Sequence, residues 1–316
     1  MTRTQLTVLF TSLVLGSEST TSFAQDQPTY PRGEYLAYSA VSGEVANDAM
    51  VARTAYSHVV SVPNALWMRL YFSDLVLEDR SILRLTSLAD GEVQVLDAEG
   101  ARQWGHTSAY FNGDRVVVEL IALPGTRRNR VAIESLAVEY VGSEPQPVGG
   151  TGQCGICGLD DRVPSNVQWS ARLMPVGCTA SVFDSCSTMV SAGHCMSSGM
   201  VVQFNVPNSL SNCTMVNPPV ADQFPITNYA YSAVDIGNDW AVLKAGANSL
   251  GQKPYDRYGV FMPVATSAAT VGSAVSLWGY GKDTNCINNQ RQQLSTGGVS
   301  VVSPTYFQFS ADVRSG

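Results

Sequence analysis

The stretch TMVSAGHC, residues 188–195, decides the fold that we predict. It begins with Thr188–Val190, an apolar run typical of a β-strand, and His194 follows the end of that run. The chain contains two other histidines. His58 lies inside an alternating run and His106 lies in a turn-like context, so we interpret both as structural or surface residues. His194 is therefore our candidate for the general base of a hydrolase that uses histidine.

A cysteine lies on each side of this histidine. Cys178 opens a short strand-like stretch upstream, and Cys195 directly follows His194. Together these residues resemble the histidine region of chymotrypsin-like serine proteases, where an apolar strand ends in a T/S-A-A/G-H-C motif. The resemblance implies a Cys178–Cys195 disulfide and a catalytic role for His194. Such a disulfide would fix the loop that carries His194. This suits the chemistry, because an imidazole base must lie within hydrogen-bond reach of its nucleophile.

A serine protease of this kind also needs a carboxylate that orients the histidine. The segment Asn238–Leu243, NDWAVL, resembles the segment that supplies it in the family, and Asp239 follows His194 by 45 residues, a family-like interval. Asp235 is the weaker candidate, because no such strand follows it. Taken alone, Asp239 reads as a loop aspartate before a strand. The segment 276–281, SLWGYG, is similar to a strand of the family's second barrel.

The nucleophilic serine is the part of the resemblance that the sequence lacks. The family carries it in a G-D/N-S-G-G/S-P loop, and no such string occurs in the 316 residues. Asp312–Gly316 resembles the lead-in to that loop in glutamyl-endopeptidase-like bacterial proteases. We therefore expect the serine beyond residue 316, with the backbone N–H of Gly316 in the oxyanion hole. Ser315 is the disfavoured alternative, because Val313 and Arg314 do not fit the positions around a nucleophile. We expect the 316-residue chain to be inactive.

Seven cysteines occur, none of them before residue 154: Cys154, Cys157, Cys178, Cys186, Cys195, Cys213 and Cys286. Disulfides are typical of proteins outside the cytosol, so we interpret the seven as belonging to one stapled domain. Cys154 and Cys157 have the spacing of a zinc or redox motif, but no second pair and no βαβ context accompanies them, and we predict no metal and no cofactor. They resemble the start of lysyl-endopeptidase-like bacterial proteases. This resemblance implies a Cys157–Cys213 disulfide and a partner for Cys154 beyond the sequence, and leaves Cys186 and Cys286 unassigned.

Residues 1–24 have the pattern of a signal peptide. Arg3 precedes the apolar stretch LTVLFTSLVLG, and Ser22–Ala24 is a small-x-small cleavage site. Eleven apolar residues are too few to span a bilayer, which requires about 20. We therefore predict a secreted or periplasmic protein with no membrane span after removal of the signal peptide.

Residues 26–142 contain no cysteine and are dominated by short alternating runs, which predict an all-β fold. The predicted strands are Thr54–Val62, Leu66–Leu77, Ser81–Leu88, Glu92–Asp97, Arg115–Leu123 and Arg130–Tyr140. We interpret this part as a jelly-roll-like β-sandwich. Residues 143–152, rich in Pro and Gly, form a predicted linker. For residues 153–316 we predict strands Thr188–Ala192, Met200–Asn205, Trp240–Lys244, Ala274–Gly279, Gly298–Val302 and Tyr306–Ser310, and the resemblance implies a chymotrypsin-like double β-barrel that is incomplete at the C-terminus.

The net charge of −7 and the lack of a basic patch argue against a nucleic-acid partner. Ser87–Gly113 resembles a module found ahead of trypsin-like domains in some secreted bacterial proteins. The sandwich pattern suits a glycan- or protein-binding domain, and a folding partner or spacer is the equal alternative. We expect its aromatic residues Trp67, Trp104 and Tyr110 in the core rather than on a ligand platform.

The sequence therefore predicts a secreted serine endopeptidase with a protein or peptide substrate. His194 and Asp239 would act with a serine beyond residue 316. The alternative is a non-catalytic pseudoprotease, a binding protein that carries the sandwich domain. The presence of both His194 and Asp239 favours the enzyme, because an inactive copy needs neither residue.

Overall fold

The computed structural model of the chain describes residues 33–140, 155–156 and 159–314. The predicted signal peptide and linker lie outside the described residues. Strands dominate, as predicted for an all-β chain, and they form two sheets before the linker and a barrel with a further sheet after it. Among the described residues, no helix is long and apolar enough to cross a membrane.

The first part is a sandwich of two four-stranded sheets. Its elements are β1 (Glu34–Val41), β2 (Arg53–Ser61), β3 (Ala65–Val76), β4 (Ile82–Ser87), β5 (Val93–Leu96), α1 (Ala98–Gln103), β6 (Phe111–Asn112), β7 (Arg115–Ala122) and β8 (Arg130–Tyr140). One sheet has the order β1-β8-β3-β6 and the other β2-β7-β4-β5, with antiparallel pairing throughout. The buried side chains of both sheets belong to a single core, because alternate residues of each strand point inward.

The alternation of polar and apolar residues decides this part of the fold. In β7 every second residue, from Val116 to Ala122, is buried. All six predicted strands are present, and each of their ends differs from the prediction by at most one residue. The short helix α1 was not predicted. It begins because the Asp97 carboxylate caps it, accepting a hydrogen bond from the Gly100 N–H at 2.7 Å.

The second part contains a closed barrel of six antiparallel strands in the order β10-β11-β12-β15-β14-β13. The strands are β10 (Ser170–Met174), β11 (Cys178–Val182), β12 (Thr188–Ser191), β13 (Val201–Gln203), β14 (Gln223–Ala233) and β15 (Asp239–Ala245). The barrel encloses its own core, which includes Leu173, Met189, Phe224 and Leu243. The helix α2 (Pro254–Tyr258) follows the barrel.

A further sheet lies after the barrel in the sequence. Its strands are β16 (Ala274–Gly279), β17 (Gln293–Val302) and β18 (Phe307–Phe309), and β9 (Val163–Pro164) pairs with β17. Within the described residues this sheet is open, whereas the first barrel is closed. The described C-terminal residues, up to Arg314, pack against this sheet, where the carbonyl of Arg314 closely approaches Gly281.

The sandwich and the barrel are packed directly against each other. All residues of β10 and β13 are buried. Leu173 and Val202 of these strands belong to the barrel core. Met174, Val201, Met215 and Val220, all from the second part, belong to the same hydrophobic cluster as the sandwich core. The two parts therefore share an apolar interface.

A carboxylate joins two loops at one end of the sandwich. Glu78 accepts hydrogen bonds from the backbone N–H groups of Arg127 and Arg128 at 2.8 and 3.0 Å, and these bonds lower the pKa of its carboxyl from 4.5 to about 2. A group with a lowered pKa in the folded state stabilises the protein above its unfolded pKa, and the contribution disappears as the pH falls through the folded pKa.

We therefore expect Glu78→Gln to lower the free energy of unfolding at pH 7, and the difference from wild type to shrink as the pH falls from about 4.5 to about 2. Urea unfolding across this range measures it. Glu134→Gln, at an exposed position of β8, is the control and should not change the stability. A difference between Glu78→Gln and wild type that stayed constant with pH would contradict the role of the charge.

Candidate active site

Strand pairing brings His194 and Asp239 together. β12 pairs with β15 in antiparallel register, with Ser191 opposite Ala241. Gly193–Cys195 forms a single 3₁₀ turn just after β12, and Asp239 is the first residue of β15. Because neighbouring antiparallel strands place the end of one beside the start of the other, the histidine turn lies next to Asp239.

Two hydrogen bonds join this pair. The His194 Nδ1 lies 2.5 Å from Asp239 Oδ2, and the backbone N–H of His194 donates to Asp239 Oδ1 at 2.8 Å. The side chains are 15% and 5% exposed, so the bonds are shielded from water while the imidazole keeps some access to solvent. A carboxylate at Nδ1 favours the tautomer with the proton on Nδ1, which leaves Nε2 as the basic nitrogen. The arrangement can therefore accept and return a proton at Nε2.

The turn that carries His194 fits because its first residue is glycine. A Cβ on Gly193 would lie 1.7 Å from the Ser232 carbonyl oxygen and 3.0 Å from that of Trp240. Both oxygens belong to backbone of β14 and β15, which is held in the barrel. In the sequence, Gly193 is only one residue of the histidine motif. The structure gives the physical reason for glycine at this position, because the turn lies directly against the backbone of β14.

Disulfides hold the neighbouring segments. Cys178, the first residue of β11, bonds Cys195, with 6.2 Å between their Cα atoms. This is the pairing that the resemblance implied. The second disulfide joins Cys213 to Cys286, so the expected Cys157–Cys213 pairing is wrong in this structure. The error has a spatial cause, because the loop at 213 lies against the turn at 286–288, where Asn289 also donates to the Cys213 carbonyl.

A cavity of about 270 Å³ lies beside the histidine turn. Ala192 and Cys195, which flank the turn, line one side, and Trp278 and Gly279 of β16 line another. The C-terminal segment 312–314 lines a further part of the wall. The predicted second-barrel strand and the predicted lead-in to the nucleophile loop therefore both border the same cavity as the histidine turn.

The C-terminal segment is held by hydrogen bonds to the buried end of this cavity. Asp312, which is 4% exposed, donates its backbone N–H to Ser295 Oγ at 2.8 Å. Its carboxylate accepts from the Asp161 N–H at 2.9 Å, and Ser295 Oγ in turn donates to Asp161 Oδ1 at 2.7 Å. Val313 N–H donates to the Gly155 carbonyl. This network of Asp312, Ser295 and Asp161 was not predicted from the sequence. The two expected site residues that follow, Ser315 and Gly316, lie outside the described residues.

The other candidates lie away from this pair. His58 accepts or donates a 2.8 Å hydrogen bond with the Tyr38 hydroxyl inside the sandwich, and His106 is exposed on a turn. Asp235 is exposed in the loop before β15. Cys178, Cys195 and His194 have the residue types of a metal site, but the two cysteine sulfurs bond each other and cannot act as thiolate ligands.

The aromatic residues considered as a ligand platform are in the core. Trp67, Trp104 and Tyr110 are at most 2% exposed, and Trp67 packs edge-on against Tyr110 with ring centroids 5.2 Å apart. Because buried rings cannot stack on a sugar, these three residues do not form a glycan-binding surface in this structure.

The Cys178–Cys195 disulfide joins residues with a sequence separation of 17. Cross-linking a loop of this length raises the free energy of unfolding of the protein by about 3 kcal/mol. We therefore expect the double variant Cys178→Ser/Cys195→Ser to lose about 3 kcal/mol in urea unfolding. Cys186→Ser is the control, because Cys186 is a free, exposed cysteine, and it should unfold like wild type. Equal stability of the double variant and the control would contradict this role.

We expect Gly193→Ala to destabilise the protein by about 1–3 kcal/mol, because the new methyl group must displace backbone oxygens rather than a flexible side chain. Thermal unfolding measures the loss. Gly298→Ala is a matched control in β17, where a Cβ meets no atom within 4 Å. If both variants unfold together with wild type, the close approach of the histidine turn to β14 is not a constraint.

Comparisons with known proteins found distant solved structures and one family model. Similar solved structures include a thermostable serine protease from an extremophilic microorganism, at 16% identity and a TM-score of 0.35, covering 47% of this chain and 76% of that one. A Glu endopeptidase in complex with MPD is 17% identical with a TM-score of 0.41, covering 51% and 78%. A mutant human heparin binding protein is 11% identical with a TM-score of 0.35, covering 48% and 71%.

These structural likenesses are too distant to carry an argument, and no curated protein matches the sequence. The family model is the stronger finding. The trypsin model matches residues 156–313, a span that covers half of the sequence and contains both His194 and Asp239. The chain therefore belongs to the trypsin family of serine proteases.

Proposed function

We propose that this protein is a secreted serine endopeptidase in which His194 is the general base and Asp239 orients it. The observation that supports the proposal most strongly is the 2.5 Å contact between His194 Nδ1 and Asp239 Oδ2, in a turn that is tied by a disulfide and by a backbone hydrogen bond. A second support is the match to the trypsin family over the same residues.

The nucleophile of the proposed triad is a serine beyond residue 316. In support of this proposal, the described segment 312–314 is fixed along the wall of the cavity beside the histidine turn. The backbone N–H of Gly316 belongs to the proposed oxyanion hole. Ser315 is the alternative nucleophile in the same segment.

The proposed reaction follows from these positions. The serine Oγ attacks the peptide carbonyl carbon while its proton moves to His194 Nε2, and backbone N–H groups hold the resulting oxyanion. Asp239 stabilises the imidazolium through Nδ1. The C–N bond then breaks, and the leaving amine takes the proton from Nε2. Water, deprotonated by the same nitrogen, hydrolyses the acyl-enzyme and regenerates the serine.

The proposed location is outside the cytosol. Among the described residues, two disulfides tie the second domain, and such bonds persist in oxidising compartments. Residues 1–24 have the pattern of a signal peptide. Both features suit an enzyme that acts on proteins or peptides outside the cell or in the periplasm.

An organophosphonate probe on the protein expressed from its complete coding region tests the activity. We expect covalent labelling of wild type at one serine, and no labelling of His194→Ala, because the serine then has no base. We expect Asp239→Asn to lower kcat by about 10⁴-fold, because the amide supports the wrong imidazole tautomer.

The 316-residue chain is the second arm of the same experiment, and it is expected to remain unlabelled. Labelling of that chain which is lost in Ser315→Ala would place the nucleophile at Ser315. Failure of the complete protein to label, with intact folding, would contradict the enzyme proposal and favour a binding protein of the same fold.

A further inference from the structure

A guanidinium is buried at the contact between the sandwich and the barrel. Arg69 of β3 is 1% exposed. Within the sandwich it donates hydrogen bonds to the carbonyl oxygen of Ser108 and to the hydroxyl oxygens of Tyr110 and Thr107, at 3.0, 3.3 and 2.6 Å. Its Nη1 also donates to the carbonyl oxygen of Gly199 in the barrel domain at 2.6 Å.

The surroundings of this charge explain how it is tolerated. All four hydrogen-bond acceptors are neutral oxygens, and the guanidinium lies over the ring of Tyr110 at 4.9 Å and that of Tyr71 at 5.5 Å. A buried charge is costly unless its donors are matched, and one of its acceptors comes from the other domain. The sandwich therefore requires the barrel at Gly199 to complete this site.

Gly199 belongs to the segment that leaves the histidine turn. It follows His194 by five residues in the sequence and adopts a left-handed conformation with φ of +64°. The segment begins at Cys195, which is held by the disulfide, and ends at Met200, which is 2% exposed and whose carbonyl accepts from the Ile226 N–H at 2.9 Å. Between these anchors, the Arg69 bond fixes the backbone of the segment from the sandwich side.

The rest of the interface keeps Arg69 in place. The side-chain amide of Gln223 forms two hydrogen bonds with the backbone of Tyr110, accepting from its N–H at 3.0 Å and donating to its carbonyl at 2.9 Å. Asn112 pairs with the backbone of Asn217 in the same reciprocal way, at 2.9 and 3.0 Å. Such paired bonds fix both distance and orientation, and they add to the contacts of the shared apolar cluster. The sandwich is therefore held in one orientation on the barrel.

We propose that the sandwich domain is a permanent support for the histidine turn and that Arg69 is its positioning residue. The substitution of this residue should loosen the 195–199 segment and misplace the imidazole without touching the substrate site itself. This inference rests on the proposed function for its catalytic consequence, but its structural part can be measured separately.

Hydrogen–deuterium exchange on the folded chain tests the structural part. We expect faster exchange in residues 193–200 of Arg69→Met than in wild type, because the Gly199 carbonyl loses its donor. Asn112→Ala is the matched control: it breaks another hydrogen-bonded contact of the same interface, one that reaches Asn217 rather than the histidine segment. Its 193–200 segment should exchange as in wild type.

Kinetics on the protein from the complete coding region tests the catalytic part. We expect Arg69→Met to lower kcat by about 10- to 100-fold with KM changed by less than about twofold, because a small displacement of a catalytic group is costly to the reaction step. Arg69→Lys keeps the charge and one donor and should recover part of the loss.

The outcomes separate the two proposals. Unchanged exchange in Arg69→Met, or equal acceleration in Asn112→Ala, would overturn the positioning role. Accelerated exchange in a protein that never labels with phosphonate would support the positioning role and contradict the enzyme proposal. If Arg69→Met does not fold, Arg69→Lys is compared by the same exchange measurement. Faster exchange confined to residues 193–200 is the expected result, and its absence overturns the inference.

Discussion

The pairing of β12 with β15 is the constraint on which the site depends. It converts a separation of 45 residues along the chain into a 2.5 Å contact between His194 Nδ1 and Asp239 Oδ2. The pairing is possible because β12 and β15 lie side by side in a closed barrel, whose apolar core fixes their register. Gly193 then lets the turn lie against β14 without a steric clash. The chemistry of the site follows from the geometry of these two strands.

The barrel also packs against the sandwich. Met174 of β10 and Val201 of β13 belong to the sandwich cluster rather than to the barrel core, so without the sandwich they would form an exposed apolar surface. The sandwich covers that surface, and its core continues into Val201 and Met174. The buried guanidinium of Arg69 in the sandwich donates one of its hydrogen bonds to the Gly199 carbonyl oxygen of the barrel domain. The two domains therefore share an apolar interface and a buried hydrogen bond to the segment that follows the histidine turn.

Much of this structure could be predicted from the sequence. Period-two alternation located the sandwich strands, because each strand has one face in the core and one outside it. The His194 and Asp239 segments were identified by their resemblance to segments of chymotrypsin-like serine proteases, because an aspartate before a strand is not specific by itself. The all-β class is confirmed, and the family resemblance is confirmed by the trypsin model.

Other features could not be predicted, because they depend on residues that are distant in the sequence. The partner of Cys213 is set by the packing of two loops, and analogy chose Cys157 instead of Cys286. Arg69 reads as an ordinary charged residue, because its hydrogen-bond acceptors are distant in the sequence and one of them, the Gly199 carbonyl oxygen, lies in the other domain. The predicted signal peptide, the linker and the nucleophile position lie outside the described residues and stay predictions.

The most direct test of the central claim is proton NMR of the His194 side chain in the folded chain. We expect wild type to show a slowly exchanging Nδ1 proton whose resonance is shifted far downfield by its short hydrogen bond to Asp239. This resonance should disappear in Asp239→Ala and persist in Asp235→Ala. If wild type shows no such proton, or if the signal survives Asp239→Ala, the pair is not formed in solution and the proposed catalytic role of both residues is contradicted.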